Sequence, residues 1–482
     1  MLLKTFVSFL FAACLTLTAT GAYSQDEGME AFSNQTAGKL FTIKGSNTIG
    51  AKLAPAWVKN YLEAKGLTNV SIKTTNIENE YRIEGYNGDL PVFVDIQAHG
   101  SGTGYSGLAD GTSNIAMSSR PIKDSEATLL QSLGNMRDFS AEKVVAIDGL
   151  AVIVNRSNPV SSLTVDQIAK VFAGEISNWS QLGGGDMPIR VYARDDKSGT
   201  WDTFKSLVLG KSYSLTASAE RFESNDQLSD RVSTAPGGIG FVGLASVRRA
   251  KALGISEDST DPLKPEPLYV ATEDYPLARR LFMYVSPKQN NPLINEFIHF
   301  VQSTKGQEIV NQIGFISQNP LSLQSELYAD APQTYKVLTE NAMRLSVNFR
   351  FKDGSAELDN KAKQDILRIV RYMQMPENAD KRIQLVGFGD SKETAARSTV
   401  LSKLRAVAVK SALYSYGISS ESVLGLGSDL PVASNAGSAR LKNQRVEVWV
   451  FDTQMRSMMS KTKKDASREK RQAATLDYAG SH

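Results

Sequence analysis

Short apolar runs alternate with amphipathic segments over more than half of the chain. Between residues 38 and 325, apolar runs at 41–44, 92–96 and 115–118 are joined by segments such as 51–64, in which apolar residues recur at helical intervals. Strands that alternate with helices are typical of α/β folds with a parallel sheet. We therefore predict one α/β domain over residues 38–325.

A second, smaller unit follows with its own strands and helices. The predicted elements are strands at 345–351, 382–388 and 445–451 and helices at 360–373 and 394–416. They predict an α+β domain over residues 343–452, joined to the first domain by a linker at 326–342. The stretch 319–339, which contains Pro320 and Pro332, fits either a linker or a short helix. After residue 452 polar and basic residues dominate, so we predict a solvated tail over 453–482.

The first residues have the pattern of a secretory signal peptide. Met1 to Lys4 form a short positive start, residues 5–17 are mostly apolar, and small residues follow. A run of this length is too short for a permanent membrane anchor. We therefore predict a cleaved signal peptide over residues 1–24. The alternative is a lipoprotein acylated at Cys14, but Phe11 fits that pattern poorly.

Composition narrows the chemistry further. The 482 residues include 54 Lys and Arg against 51 Asp and Glu, and a net charge of +3 is too small to indicate nucleic acid as a partner. Cys14 is the single cysteine, which excludes disulfides and thiolate metal clusters. The histidines, His99, His299 and His482, form no zinc-ligand pattern. We expect neither a metal nor a cofactor.

Three loops rich in glycine and hydroxyl groups carry the chemistry of the first domain. Loop 1 (residues 45–50, GSNTIG), loop 2 (100–104, GSGTG) and loop 3 (194–200, RDDKSGT) each follow a predicted strand and precede a helical segment. Glycine lets an anion approach the free N–H groups at a helix start, and Ser and Thr hydroxyls add donors. If the loops meet in one cleft, they can hold an oxyanion with few full charges.

Enzymatic alternatives fit these loops poorly. Residues 102–107 match the dinucleotide pattern Gly-x-Gly-x-x-Gly, with Asp124 downstream, but this is a lone match in a chain predicted to be exported. A serine hydrolase is disfavoured because the loops contain no Gly-x-Ser-x-Gly elbow and His99 is the only nearby histidine. An enzyme that cleaves phosphate esters would need a metal cluster or a base. We therefore predict that the protein is not an enzyme.

The first domain resembles the PstS-like family, the periplasmic phosphate-binding proteins of ABC importers. The motifs that carry the resemblance are KGSNT at 44–48, GSGTG at 100–104, IAMSSRP at 115–121, RDDKSGT at 194–200 and GGIGFV at 237–242. It implies a two-lobed, hinged fold that closes on one phosphate ion, with the chain crossing between lobes near 147–151 and 281–284. The ligand contacts that it implies are Ser46, Thr48, Ser101, Ser119, Arg194, Ser198, Gly199 and Thr200.

Ser119 departs from the pattern of that family. Well-known members have an aspartate at this position, which accepts the proton of hydrogen phosphate. A serine hydroxyl can donate to phosphate and to fully ionised sulfate alike. Arg120 next to it can add a charge-assisted contact. Inorganic phosphate is the favoured ligand, and a related oxyanion is the alternative.

The second unit resembles the C-terminal domain of the OmpA family, which binds peptidoglycan. The motifs are FKDGSAEL at 351–358, VGFGD at 386–390, LSKLRA at 401–406 and NQRVEV at 443–448. In that family an aspartate and an arginine hold the carboxylate and ammonium groups of diaminopimelate in the stem peptide, and the matching residues here are Asp390 and Arg405. Phe388 and Ser398 stand where the family has a histidine and an asparagine.

Two functions from different classes are consistent with the sequence. The first is a periplasmic receptor for phosphate that is tethered to peptidoglycan and that either passes its ligand to an importer permease or stores it near the outer membrane. The second is a structural envelope protein that binds the wall and whose receptor domain has altered or lost its ligand. An intact loop 3 with Arg194 favours the first function, whereas Ser119 leaves room for the second.

Overall fold

The computed structural model describes residues 29–453, with gaps at 197, 258–259, 326–330, 352–354, 393 and 436–438. The predicted signal peptide, Cys14, and all of the predicted tail after Thr453 lie outside the described residues. Within the described part, no helix combines the length and the apolar character that a membrane crossing requires.

The first unit alternates strands and helices, as predicted. The first lobe begins with β1 (Gly38–Gly45), α1 (Asn47–Gly50), α2 (Leu53–Ala64), β2 (Thr68–Thr74), β3 (Glu80–Asn87), β4 (Leu90–Gln97), α3 (Ser101–Ala109), β5 (Ile115–Ser118) and α4 (Asp124–Leu129). The chain then enters the second lobe through β6 (Glu142–Val154), β7 (Ser162–Thr164), α5 (Val165–Ala173), β8 (Arg190–Arg194), α6 (Gly199–Phe204), β9 (Glu220–Phe222), α7 (Asn225–Thr234), β10 (Gly238–Gly243), β11 (Lys251–Ala252), β12 (Gly254–Ser256) and α8 (Pro267–Ala271). It returns through β13 (Ala278–Val285) to α9 (Pro292–Gln302) and α10 (Thr304–Ile313) of the first lobe.

One large sheet runs through both lobes in the order β2-β3-β4-β1-β5-β13-β6-β10-β8-β9. Strand β1 is parallel to β4 and β5, whereas β3 is antiparallel to β2 and β4. The sheet is therefore mixed rather than parallel throughout. One cause is local, because the short turn at Gly88 and Asp89 folds β3 directly back onto β4. The other is that β6 and β13 are antiparallel to each other and to their neighbours β10 and β5.

Strands β6 and β13 connect the two lobes. Residues 150–154 of β6 pair with β10 in the second lobe, whereas earlier residues of β6 pair with β13. Residues 282–285 of β13 pair with β5 in the first lobe. The crossing on β6 thus lies within the predicted segment 147–151, and the crossing on β13 lies at or before residue 281.

The centre of the molecule is buried on both faces of β6. Residues 144–154 of this strand are all buried, which is typical of a strand covered on both sides. Val145 belongs to the apolar cluster around Trp57 in the first lobe. Asp148 is the one charged residue in this buried run, and a charge in such a place requires a partner.

The C-terminal unit (residues 322–453) is a small sheet covered by helices. Its elements are β14 (Ser322–Leu323), α11 (Gln333–Thr339), β15 (Met343–Arg350), α12 (Asn360–Gln374), β16 (Lys381–Gly387), α13 (Ala395–Tyr414), β17 (Ser420–Gly425) and β18 (Arg445–Asp452). The strand order is β14-β15-β18-β16-β17. All five predicted elements of this unit are confirmed, with ends that differ by one or two residues.

Part of the predicted linker belongs to this C-terminal fold. Helix α11 lies within residues 326–342, and its Tyr335 is 1% exposed. The ring of Tyr335 packs edge-on against Trp449 at 5.8 Å, and its hydroxyl donates to Glu447 at 2.9 Å. Strand β14 also pairs with β15, so the second sheet begins before residue 343.

The C-terminal unit contacts the second lobe through a buried group of charges. Asp274, between α8 and β13, is fully buried. Its carboxylate accepts hydrogen bonds from Arg344 at 2.7 Å, Arg350 at 2.9 Å and Asn348 at 2.9 Å, all on β15. Because each buried charge has an opposite charge beside it, the contact is electrostatically matched.

The same unit also contacts the hinge strand and the first lobe. Arg280 on β13 binds Glu273 through two hydrogen bonds of 2.7 and 3.0 Å, and it donates to Asp359 of the C-terminal unit at 2.7 Å. The side-chain amide of Asn360 donates to Glu142 of β6 at 3.1 Å. The C-terminal unit therefore touches both lobes at the point where they meet.

Candidate functional site

Loops 1 and 2 lie side by side at the ends of parallel strands. A Cβ atom on Gly45, whose φ is +133°, would lie 2.1 Å from Met117 O, so the position requires glycine. Gly100 N donates to Gly45 O at 2.8 Å, and Ser46 N donates to Met117 O at 2.9 Å. These bonds fix the buried Ser46 next to the start of α3.

Ser101 and Ser119 are adjacent although 18 residues separate them in the chain. The N–H group of Ser119 donates to Ser101 Oγ at 3.2 Å, and the two hydroxyl oxygens are 3.4 Å apart. Ser101 opens α3 and Ser119 follows β5, and both β4 and β5 pair with β1. The parallel pairing thus brings two of the predicted contacts together.

Loop 3 of the second lobe reaches loop 1 of the first lobe. A Cβ atom on Gly199 would lie 2.0 Å from Thr48 Oγ1, so a larger residue cannot occupy this position without displacing loop 1. Ser198 caps α6, because its hydroxyl accepts a hydrogen bond from Trp201 N at 3.3 Å. Glycine at 199 is what allows the two lobes to approach this closely.

Arg194 is buried at the end of β8 and is held by the second lobe. Its Nε donates to Phe222 O at 3.1 Å and its Nη2 donates to Glu223 O at 2.6 Å. Its Nη1 lies 3.4 Å from Thr200 Oγ1. The guanidinium is therefore held next to loop 3, with Thr200 beside its remaining edge.

Arg279, which sequence analysis did not select, lies at the centre of these loops. Its Nη2 donates to Thr48 Oγ1 at 3.0 Å and to Gly199 O at 3.1 Å, and its Nη1 lies 3.4 Å from Ser119 O. Its Nε donates to Asp148 at 3.1 Å. One side chain of the hinge strand thus touches residues of both lobes and both ends of the predicted site.

The buried pair of Asp148 and Arg279 sets the local electrostatics. Burial raises the pKa of Asp148 above its ordinary value, although the charge and hydrogen bond of Arg279 oppose that shift. Burial also lowers the pKa of Arg279, while the attraction of Asp148 opposes the change. Asp148 therefore partly compensates the charge of Arg279, which limits the free-energy cost of keeping this buried cation in the cleft.

A cavity of about 430 Å³ opens next to this cluster. Ser101, Ser119 and Arg279 line one part of it, and Lys442 of the C-terminal unit also lines it. Among the described residues, no group of three or more His, Cys, Asp or Glu side chains is placed to hold a metal ion. Hydroxyl, N–H and guanidinium donors dominate the predicted contact residues, and these are groups that bind an anion.

Asp390 and Arg405 of the C-terminal unit are brought together by a third side chain. The amide of Gln444 donates to Asp390 Oδ2 at 2.8 Å and its oxygen accepts from Arg405 Nη2 at 2.8 Å. Asp390 also accepts from Arg440 at 2.7 Å. Asp390, Arg405 and Gln444 are each 5% exposed. We call these three residues the clasp.

The electrostatics of the clasp favour a charged Asp390. Burial alone would raise the pKa of this carboxyl, but hydrogen bonds from Gln444 and Arg440 and from the N–H of Lys392 hold it below its ordinary value. The hydroxyl of Ser398, where an asparagine was expected, donates to Asp390 O at 3.1 Å. Ser398 therefore supports the backbone of the clasp rather than its carboxylate.

Two residues of these sites had only weak signals in the sequence. Arg279 and Arg280 interrupt an otherwise apolar strand, which is the feature that could have singled them out. Gln444 lies inside the NQRVEV motif, directly before β18. Arg445, by contrast, stacks on Phe388 at 3.8 Å and donates to Glu447 at 3.0 Å, so it belongs to the core below the clasp.

Family models match both units of the chain. Residues 74–305 match the model described as PBP superfamily domain, and residues 350–445 match the model described as OmpA family. The two matches fall within the two-lobed unit and the C-terminal unit.

Relatives of known identity match the first unit. Protein SphX of Synechococcus elongatus is 33% identical over 258 residues, which cover 50% of this chain and 73% of SphX. Phosphate-binding protein PstS of Pseudomonas aeruginosa is 31% identical, over 47% of this chain and 74% of that protein. PstS of Borreliella burgdorferi is 29% identical, over 46% and 79%. The chain belongs to the family of PstS and SphX, and it carries an OmpA family domain after the two-lobed fold.

Among solved structures, an ABC-type phosphate transport receptor from Vibrio cholerae is similar to this chain. The sequence identity is 27%, the match covers 57% of this chain and 99% of that receptor, and the TM-score is 0.46.

Proposed function

We propose that the protein is a receptor that binds inorganic phosphate in the cleft between its lobes without acting as an enzyme. The observation that carries the proposal is the position of Arg279 among loops 1 and 3 and Ser119. The guanidinium contacts the Thr48 hydroxyl of the first lobe and the Gly199 carbonyl of the second lobe, and Arg194 lies beside loop 3. A dianion placed here would replace water as the partner of several fixed donors.

The relatives support phosphate as the ligand. Two of them are named phosphate-binding protein PstS, and the residues that we propose as contacts lie in the loops on which the resemblance to that family rests. The contacts that we propose are Ser46, Thr48, Ser101, Ser119, Arg194, Ser198, Gly199 and Thr200, together with Arg279. The serine at position 119 leaves sulfate and arsenate as competitors, because a hydroxyl does not require a protonated ligand.

Calorimetric titration of the full chain tests this half of the proposal. Phosphate should bind with a Kd below about 1 mM, and ligand at 100 times its Kd should stabilise the native state by about 2.7 kcal/mol. Ser101→Ala should weaken binding. Ser106→Ala, on the outer face of the same helix, should not. Absence of binding by phosphate, sulfate and arsenate would refute the receptor function and favour the structural alternative.

We further propose that the C-terminal unit tethers the receptor to peptidoglycan through the clasp. A diaminopimelate centre carries both a carboxylate and an ammonium group. Arg405 offers a fork for the carboxylate, and Asp390, kept ionised by its neighbours, offers a partner for the ammonium. Gln444 bridges Asp390 and Arg405, and on binding the ligand would replace one of its two hydrogen bonds.

Sedimentation with purified peptidoglycan tests the tether. Arg405→Met should leave the full chain in the supernatant. The matched change Lys403→Met, at an exposed position of the same helix, should leave it in the pellet. Retention of the Arg405 variant would refute the clasp. Together the two proposed sites support a periplasmic receptor that is held at the cell wall and that supplies its ligand to an importer permease.

A further inference from the structure

The cavity beside Ser101 and Ser119 is larger than an inorganic anion requires. Its volume is about 430 Å³, which lies within the range of about 300–1,000 Å³ that small organic ligands occupy. A phosphate ion has only five heavy atoms, and a liquid water takes about 30 Å³. An ion bound at Ser101, Ser119 and Arg279 would leave most of this volume to another part of the ligand.

Part of the remaining cavity wall is apolar. Pro121, Leu207, Ala278 and Phe282 line it, and Phe282 is 3% exposed. An apolar wall cannot replace the hydrogen bonds of the water that it confines, so an apolar group is a better occupant than water. The apolar wall and the anion-binding end belong to one continuous space.

The other charged groups of the wall leave no cation that calls for a second anionic group. Arg120 is paired with Glu126 at 2.6 Å, Arg280 with Glu273 at 2.7 Å and Lys442 with Glu257 at 3.4 Å. The carboxylate of Asp202, which also lines the cavity, is exposed to solvent and offers an acceptor to a hydroxyl-bearing ligand. The organic part of the ligand is therefore best uncharged.

Ser119 fits a phosphate ester better than a carboxylate would. A phosphate monoester has its second pKa near 6, so at neutral pH it is mainly a dianion with no acidic proton left to donate. A carboxylate at position 119 would repel that dianion, whereas the Ser119 hydroxyl can donate to it. The carboxylate of Asp148 is turned towards Arg279 at 3.1 Å and its charge is compensated there.

We propose that the cleft binds phosphate monoesters with a small uncharged organic group, in addition to inorganic phosphate. The phosphoryl group binds at Ser101, Ser119 and Arg279, and the organic group lies along Leu207 and Phe282. This inference rests on the proposed function of the same cleft and names a wider class of ligand for it.

Titration of the full chain with phenyl phosphate and with inorganic phosphate at pH 7.5 tests the inference. Phenyl phosphate should bind within about tenfold of the affinity for phosphate. If phosphate binds and phenyl phosphate binds more than about 100-fold more weakly, the inference is overturned and the phosphate receptor stands. If neither ligand binds, both proposals are overturned.

A variant that fills the cavity locates the organic group. Ser206 lines the cavity, is exposed, and is not among the proposed phosphate contacts. Ser206→Trp should lower the affinity for phenyl phosphate by at least about tenfold and leave the affinity for inorganic phosphate unchanged. Ser206→Ala, the matched control, should change neither. An equal effect of Ser206→Trp on both ligands, or no effect on either, would overturn the placement.

Discussion

The cleft and the clasp differ in how many parts of the chain form them. The cleft takes its donors from two lobes and from three loops that are up to about 150 residues apart, so it exists only where the lobes meet. The clasp lies within one small domain, and Gln444 already bridges its acid and its base. A site shared by two hinged bodies can open and close, whereas the clasp is set in place when its domain folds.

The cleft and the C-terminal unit that carries the clasp are joined by adjacent residues of β13. Because successive side chains of a strand point to opposite faces, Arg279 faces loops 1 and 3 while Arg280 faces the C-terminal unit. Neighbouring residues of this strand thus serve the cleft and the contact with the C-terminal unit. Substitutions at or near this strand are the sharpest way to test it.

The largest expected effect comes from breaking the contact between the units. Asp274→Ala should destabilise the full chain by about 3–5 kcal/mol, because it leaves Arg344 and Arg350 buried without their common partner. Thermal unfolding measures this loss, with Asp261→Ala, at an exposed position of the same lobe, as a control. Unchanged stability would mean that the contact does not hold the units together in solution.

The next prediction compares substitutions of Arg279 and Arg280, on the two faces of β13. Arg279→Met should weaken phosphate binding by at least about 100-fold, equivalent to about 2.7 kcal/mol, because it removes the guanidinium at the centre of the cleft. Arg280→Met should lower stability and leave phosphate affinity within a few-fold of the original. Calorimetry distinguishes the two, and equal losses of affinity in both variants would contradict the division between faces.

A smaller effect is expected at the clasp. Asp390→Asn should reduce retention on peptidoglycan by about tenfold, because an amide cannot neutralise an ammonium group. Phosphate affinity should stay the same in this variant, because Asp390 pairs within the C-terminal unit. Sedimentation and calorimetry on one preparation check both statements, and a change in phosphate affinity would show that the sites are coupled.

The last effect depends on pH and disappears in acid. Burial alone would raise the pKa of Glu273, but Arg280 and other nearby cations lower it from 4.5 to about 2. Its ionised form therefore contributes stability that is complete above about pH 4.5 and is lost as the pH falls through about 2. Glu273→Gln should cost up to about 3 kcal/mol at pH 7, the equivalent of that pKa shift, and the difference from the original chain should shrink between those pH values. Unfolding by urea at several pH values measures it, and a constant difference would contradict this assignment.

Local patterns in the sequence predicted most of the fold. Alternating apolar runs located β1, β4 and β5, and each of the three loops does lie between a strand and a helix. The mixed direction of the sheet was missed, because the apolar pattern of an antiparallel strand such as β3 does not reveal its direction. The segment around Pro332 fits either a linker or a short helix, and the sequence could not decide between them because the main stabilising contact of α11, Tyr335 on Trp449, lies more than a hundred residues away.

The candidate site was predictable only in part for the same reason. Loop motifs identify residues that act locally, so Ser46, Ser101 and Ser198 could be selected from their neighbours in the chain. Arg279 acts through Thr48 and Gly199, which are distant in sequence and meet it only after the lobes pack. The Gln444 bridge is likewise a tertiary contact. The assignments at Asp390 and Arg405 remain predictions that the binding experiments will decide.

The shared charges at the junction also bear on how freely the two units could be exchanged. Arg344 and Arg350 come from one unit and Asp274 from the other, so each unit supplies one side of a buried group of opposite charges. A foreign anchoring module joined to this receptor would expose Asp274 or bury it alone, unless it carried cations at matching places. The buried charges therefore make each unit specific for the other as its neighbour.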